Sequence, residues 1–302
     1  MNASATRTER HPWLAVFLSI LMPGLGQLYC GAIIRCLVLL ALFGVAGLLG
    51  LLALIPGLRL SESGLLSIEA LSVGVYAVAA FDAYCTARQT RKDYQLKDYN
   101  RWYAYGLLYL AVTGGHIFAI LYVRANLVEP FRPATSSMYP SVWQGDQLMA
   151  EKNAYQAKDP AAGDVVIFPN PENRSQLFLK RVVAVGGDSV EIRDGDIYVN
   201  DTELKREEAP SPAFPPAQFK DAGRYYYESN GKATYRIFLA DRADSRGKNL
   251  TKTIVPEHAC FVLGDNRDDS FDSRSFGAIP IVGIVGKADF IYAPLKRFGN
   301  IR

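Results

Sequence analysis

Three clusters in the second half of the chain have residue types and spacing suited to chemistry. The first is Pro133-Ala134-Thr135-Ser136-Ser137-Met138-Tyr139-Pro140. A serine hydroxyl becomes a nucleophile only when a base takes its proton. A hydroxyl-rich segment between two prolines also has the composition of an ordinary loop. The second pairs Gly163-Asp164-Val165-Val166-Ile167-Phe168 with the run Phe178-Leu179-Lys180-Arg181-Val182-Val183-Ala184-Val185. Its feature is a lysine inside an apolar strand. Alternation places Phe178, Lys180, Val182 and Ala184 on one face and Leu179, Arg181 and Val183 on the other. Burial disfavours an ammonium, so a buried lysine can be a neutral base near pH 7. On an edge strand, the same two cations would reach water along their aliphatic stems. The third cluster runs from Gly264 through Asp265, Asn266, Arg267, Ser270, Asp272 and Arg274 to Gly277. It leaves the apolar run Cys260–Leu263 and reads as an internally hydrogen-bonded turn. Its acids would also suit a calcium loop, but the ligand order of an EF-hand is missing.

No metal or cofactor is expected, because no His/Cys cluster has metal-ligand spacing. Cys30, Cys36 and Cys85 lie in or beside apolar runs, and only Cys260 lies in the polar half, so that half has no internal disulfide. The elements that must position the three clusters are short β-branched runs: Asp164–Phe168, Leu177–Val185, Ser189–Arg193, Ile197–Val199, Tyr235–Leu239, Cys260–Leu263 and Gly283–Tyr292. Turn signals such as Gly186-Gly187-Asp188 and Asp194-Gly195-Asp196 separate them. This pattern predicts a mainly antiparallel β domain over residues 126–302. Pro210–Gly223, rich in Pro and Ala, reads as a surface insertion, and Gly231–Thr253 as a hairpin or excursion.

Residues 1–125 differ in kind. They hold ten Lys/Arg against six Asp/Glu and nearly all the long apolar runs, whereas residues 126–302 hold twenty-three against twenty-four. The overall charge of +3 gives no sign of nucleic-acid binding. Ile33–Ile55, Leu65–Tyr84 and Tyr103–Val123 are each long enough to cross a bilayer. Aromatic residues at the ends of the last resemble an interfacial belt. Arg88, Arg91, Lys92, Lys97 and Arg101 make the loop before that span cytoplasmic by the positive-inside rule, which puts everything after Val123 outside. Trp13–Tyr29, broken at Pro23-Gly24, is a fourth span or a re-entrant element, and the charges of Arg7 and Arg10 favour the second. It is not a cleavable signal peptide, having no small-residue cleavage site. Pro23–Gly31 has glycines suited to close helix packing, and it also resembles a short element of small two-helix bacterial membrane domains. Glu69 and Asp82, near span ends, are expected at the solvated interface rather than as intramembrane functional groups.

Ser-Met-x-Pro, Gly-Asp-x-Val-x-Phe, Lys-Arg-Val-Val and Gly-Asp-Asn-Arg-Asp-x-Ser-x-Asp-Ser-Arg occur in order. Together they resemble bacterial type I signal peptidase, the Ser/Lys leader peptidase of peptidase family S26, over residues 126–302. The resemblance implies an N-terminal α-helical transmembrane region followed by a mainly-β extracytoplasmic domain of signal peptidase/LexA-like fold. It implies Ser137 as nucleophile and Lys180 as general base; related eukaryotic and archaeal enzymes carry His at the latter position. It implies an oxyanion hole from the Ser137 N–H and the Thr135 hydroxyl, Ser270 orienting the Lys180 ammonium, and Asp272 with Arg274 as a supporting ion pair. Ser136 stands where Gly is common, Asp269 where Asn is, and Ser275-Phe276 where Tyr-Trp is. Phe131, Met138, Tyr139 and Trp143 would contact lipid or substrate, or else form core, with Met138 structural.

The implied partners are exported preproteins bearing signal peptides, cleaved after small residues at −1 and −3, and the lipid bilayer. The implied location is the bacterial cytoplasmic membrane, with a multi-pass anchor. The extra spans and altered support residues leave open a processing peptidase for one dedicated substrate, such as a pilin or conjugation factor. A catalytically silent membrane scaffold is the alternative from another class, and retention of both Ser137 and Lys180 argues against it.

Overall fold

The computed structural model describes residues 7–53, 62–90, 94–97, 99–219, 222–241 and 248–301. It has two compact units, Met1–Ala125 and Asn126–Arg302. Arg91 and Lys92 of the predicted cytoplasmic loop, and the end of the predicted span Ile33–Ile55, lie outside the described residues.

In the first unit, α1 (Pro12–Leu21) and the short α2 (Leu25–Tyr29) precede α3 (Ile33–Ala53), α4 (Glu62–Gln89) and α5 (Trp102–Asn126). A two-residue pairing joins β1 (Arg7–Thr8) to β2 (Tyr94–Gln95). The last three helices are long and apolar enough to cross a membrane. They expose leucines and phenylalanines that a water-soluble helix would hide: Leu110 is 66% and Phe118 70% accessible. Ten-residue α1 rises only about 15 Å, half of a bilayer core. The break falls at Gly24, whose φ of +101° suits glycine. Gly26 is a close-packing site, since a Cβ there would lie 2.2 Å from the Ala15 carbonyl and the Ser19 Oγ. Asp82 differs from the expectation of a merely solvated carboxylate. Gln27 Nε2 donates to its Oδ2 at 3.1 Å and Arg35 Nη1 to its Oδ1 at 2.9 Å, tying α2, α3 and α4 together. Partnering explains how an acid is tolerated within so apolar a helix. Glu69 is exposed on α4.

The second unit is mainly β. Its largest sheet contains β3 (Val128–Phe131), β4 (Gln147–Glu151), β5 (Val165–Pro169) and β6 (Leu177–Val185). A four-stranded sheet follows with β7 (Ser189–Arg193), β8 (Asp196–Val199) and β9 (Thr202–Glu203), and a three-stranded one with β10 (Lys205–Ala209), β11 (Gly223–Asn230) and β12 (Ala233–Ala240). β13 (Leu250–Ile254) joins the four-stranded sheet. β14 (Ala259–Leu263), β15 (Ile279–Pro280), β16 (Gly286–Ala293) and β17 (Gly299–Asn300) return to the largest, with α6 (Ser273–Phe276) between β14 and β15. The largest sheet runs β15-β14-β6-β5-β16-β4-β3, with β17 beside β16. Its named pairings are antiparallel.

β6 therefore lies inside the sheet, between β14 and β5. An edge placement with both cations in water does not occur: Lys180 and Arg181 are each only 3% accessible. Apolar packing fills both faces of the strand. Leu179 joins Met138, Val142 and Leu148, while Val182 joins Val166, Phe168 and Cys260. Burial pushes the Cys260 thiol up to about 12, as befits an inert core residue.

The polar excursions also find places. β12 pairs with β11 along its whole length. The insertion after Ala209 is not purely superficial, because Phe219 is buried and stacks on Tyr139 at 3.8 Å between ring centroids.

Candidate active site

Ser137 opens a turn between β3 and β4. Tyr139 N–H donates to the Ser136 carbonyl at 2.9 Å and Val142 N–H to the Met138 carbonyl at 2.9 Å, which winds the backbone tightly behind the serine. Met138 and Tyr139, next in sequence, are almost wholly buried and anchor the turn. Met138 packs into the core of the largest sheet, and Tyr139 sits among Phe219, Tyr225 and Phe238. Both are core residues. Phe131 is partly buried against the same core as Met138, and Trp143 against that of Tyr139. The serine is thus fixed from below by apolar side chains while its hydroxyl stays accessible.

Lys180 reaches this hydroxyl from β6. Its Nζ lies 2.7 Å from Ser137 Oγ and 3.1 Å from the carbonyl of Leu179. Desolvation lowers the ammonium from 10.5 to about 8, against the opposing pull of Asp272 and Asp265. Arg181, one residue on, points to the other side. Its guanidinium grips Asp265 through two bonds of 2.7 and 2.6 Å and also donates to the Gly163 carbonyl at 2.8 Å. Strand alternation sends one of two adjacent cations to Ser137 and the other into a buried ion pair.

The third cluster forms the wall behind the pair. Asp272 is fully buried. It accepts two bonds of 2.8 Å from Arg274 and one of 3.0 Å from the Gly264 N–H. Arg274 Nη2 also donates to the Arg267 carbonyl at 2.6 Å. Gly264 is required by close approach, since a Cβ would lie 2.5 Å from the Ser137 carbonyl and 2.2 Å from Ser270 Oγ. No group of metal-ligating side chains occurs among the described residues, including this loop.

Thr135 Oγ1 donates to Ser137 Oγ at 3.2 Å, so its hydroxyl is on the reactive side. Ser270 is close to the pair but not bonded to the lysine. Its Oγ is buried without a hydrogen-bond partner, and Lys180 uses the Leu179 carbonyl of its own strand as its second contact. That differs from the orienting contact implied by resemblance.

Sequence reasoning singled out neither Arg181–Asp265 nor the second buried network. In the latter, Arg267 and Arg206 both bind the fully buried Glu228. Against desolvation, these arginines hold the Glu228 carboxyl below its usual range. Arg181 and Arg267, each inside a motif, were the available signal. Glu228, in a tyrosine-rich strand, carried none.

Ser137 and Lys180 line a cleft of about 640 Å³, walled by Phe131, Pro133, Leu177, Phe178 and Phe271. The cleft is mostly apolar, with the serine and amine at its polar end. It suits a short apolar peptide segment presented to the serine. A serine hydroxyl against a buried, readily neutralised amine, in a peptide-sized cleft, defines the class as a serine peptidase.

Comparison with known proteins gives the family. The family model described as signal peptidase, peptidase S26, matches residues 107–293, and the chain belongs to that family. It is similar to thylakoidal processing peptidase 1 of the Arabidopsis thaliana chloroplast, 33% identical over 202 residues, covering 64% of this chain and 48% of that protein. It is also similar to signal peptidase I of Rickettsia massiliae, 29% identical over 214 residues, covering 61% of this chain and 79% of that one. The chain thus spans about half of the chloroplast relative. A solved signal peptidase I from Enterococcus faecalis matches at 30% identity, covering 43% of this chain and 97% of that chain, with a TM-score of 0.28.

Proposed function

We propose that this protein is a membrane-anchored endopeptidase that removes signal peptides from exported preproteins. The observation that carries the reading is the 2.7 Å approach of Lys180 Nζ to Ser137 Oγ inside an apolar cleft. Neutral Lys180 accepts the Ser137 proton as Oγ attacks the scissile carbonyl. The tetrahedral oxyanion is held by the Ser137 N–H and, after rotation from its present contact, the Thr135 hydroxyl. The protonated lysine then gives its proton to the leaving amine, and a water deprotonated by the same amine hydrolyses the acyl-enzyme. No histidine takes part; His258 is the one histidine of this unit and lies outside the motifs.

The apolar walls favour uncharged side chains in the substrate, and the family resemblance adds small residues at −1 and −3. The charge pattern of the short loops supports residues 126–302 lying outside the cytoplasmic membrane, the side on which signal peptides emerge. The three apolar helices would form the multi-pass anchor. Similarity to both a bacterial signal peptidase I and a thylakoidal processing peptidase supports a general rather than a single-substrate role.

The test is cleavage of a model preprotein in detergent by the wild type, Ser137→Ala and Lys180→Ala. Cleavage by the wild type alone is expected. Full activity in Lys180→Ala would refute the mechanism. Cleavage of a pilin but no general preprotein would favour a dedicated processor.

A further inference from the structure

One side chain behind the nucleophile has a geometry the preceding mechanism does not use. Asn266 is 1% accessible. Its backbone N–H donates to the Ser137 carbonyl at 3.1 Å, and its Nδ2 to the Ser136 carbonyl at 3.3 Å. The two carbonyls flanking the Ser137 backbone are therefore both held by one residue.

Asn266 is itself splinted. Phe238 N–H donates to the Asp265 carbonyl at 2.9 Å and Arg267 N–H to the Phe238 carbonyl at 3.1 Å, so β12 grips the chain on either side of it. Its other amide atom, Oδ1, is buried and has no hydrogen-bond partner. An amide oxygen left unsatisfied in a core is unfavourable. An apolar residue of the same size would avoid that penalty. What the asparagine adds over such a residue is its donor to Ser136.

That donor has a consequence one bond away. A trans peptide unit is planar, and its C=O and N–H point in opposite directions. The Ser136 carbonyl and the Ser137 N–H belong to the same unit. Drawing the carbonyl toward buried Asn266 turns the N–H away from Asn266.

We infer that Asn266 is a positioning residue for the oxyanion site, acting through the Ser136 carbonyl to aim the Ser137 N–H at the developing charge. This rests on the peptidase reading above. The same carbonyl also accepts the Tyr139 N–H at 2.9 Å, so Asn266 is the second donor holding Ser136, at a position where glycine is common, in one peptide orientation.

The test uses the full chain in detergent and a peptide spanning an Ala-x-Ala cleavage site. Asn266→Leu removes the donor and the orphaned acceptor together. Its melting temperature should not fall, while kcat should drop at least about 10-fold but by less than the roughly 100- to 1000-fold typical of losing an oxyanion donor outright. KM should stay within about twofold, and the pH at which activity is half-maximal should not move, because Lys180 is untouched. Asn266→Ala keeps the backbone clamp and loses only the side chain. It decides the matter if the leucine variant does not fold, and it should show the same loss of kcat. A kcat within twofold of wild type in a folded variant would overturn the inference and leave the peptidase reading intact. So would a loss confined to KM. An inert wild type would overturn both.

Discussion

The sharpest consequence of the structure concerns pH. Lys180 is lowered from 10.5 to about 8, chiefly by burial. At pH 7 a free lysine would be neutral in fewer than about one molecule in a thousand, whereas Lys180 is neutral in about one in ten, a gain of roughly 300-fold in the reactive form. The sign follows directly. The base must be neutral to accept the serine proton, so kcat/KM should rise tenfold per pH unit at low pH and level off above about 8. Asp272 is the largest charge favouring the ammonium, so removing it should lower Lys180 further. In Asp272→Asn the rising limb should therefore shift to lower pH, even as activity at the plateau falls because Arg274 has lost its partner. The assay is hydrolysis of a cleavage-site peptide from pH 5 to 10 by wild type and variant. A limb centred near 6.5 would indicate a histidine, and a flat profile would remove the lysine base altogether. A shift of the variant's limb to higher pH would refute the electrostatic argument.

Other expectations follow from the same geometry. Lys180→Met should abolish cleavage yet stabilise the fold at pH 7 by up to about 3 kcal/mol, the equivalent of the 2.5-unit depression, measurable by thermal melting. Because the folded value lies below the unfolded one, the penalty is complete below about 8 and fades as pH rises toward 10.5, so the two proteins should converge in alkaline solution. Asp265→Asn leaves Arg181 buried without its anion and should lower stability by about 3–5 kcal/mol in denaturant titration. Gly264→Ala should impair folding and activity together, because its Cβ would press on the Ser137 carbonyl and Ser270. Phe219→Ala should cost about 3–5 kcal/mol and lower activity, since the insertion's ring stacks on Tyr139 beneath the nucleophile turn.

The amino-acid sequence by itself determined the division into an apolar, helical first part and a β second part. Hydrophobic run length and period-two alternation are local properties, and strands β6 and β7 begin and end where the pattern of Leu177–Val185 and Ser189–Arg193 does. Strands such as Gly223–Asn230 were hidden because their polar and tyrosine residues are paired or packed only after folding. Sequence also singled out Ser137 and Lys180, yet each alone suited a duller role. Only the tertiary structure brings them within 2.7 Å and buries the lysine, and whether a lysine can be a base depends on its dielectric surroundings. β6 is an inner strand because, besides its neighbour β5, it pairs with β14 from a distant part of the chain. The same holds for Asn266 and Glu228: their significance lies in which buried groups they meet, and no local pattern encodes a contact across more than a hundred residues, such as that of Asn266 with Ser136.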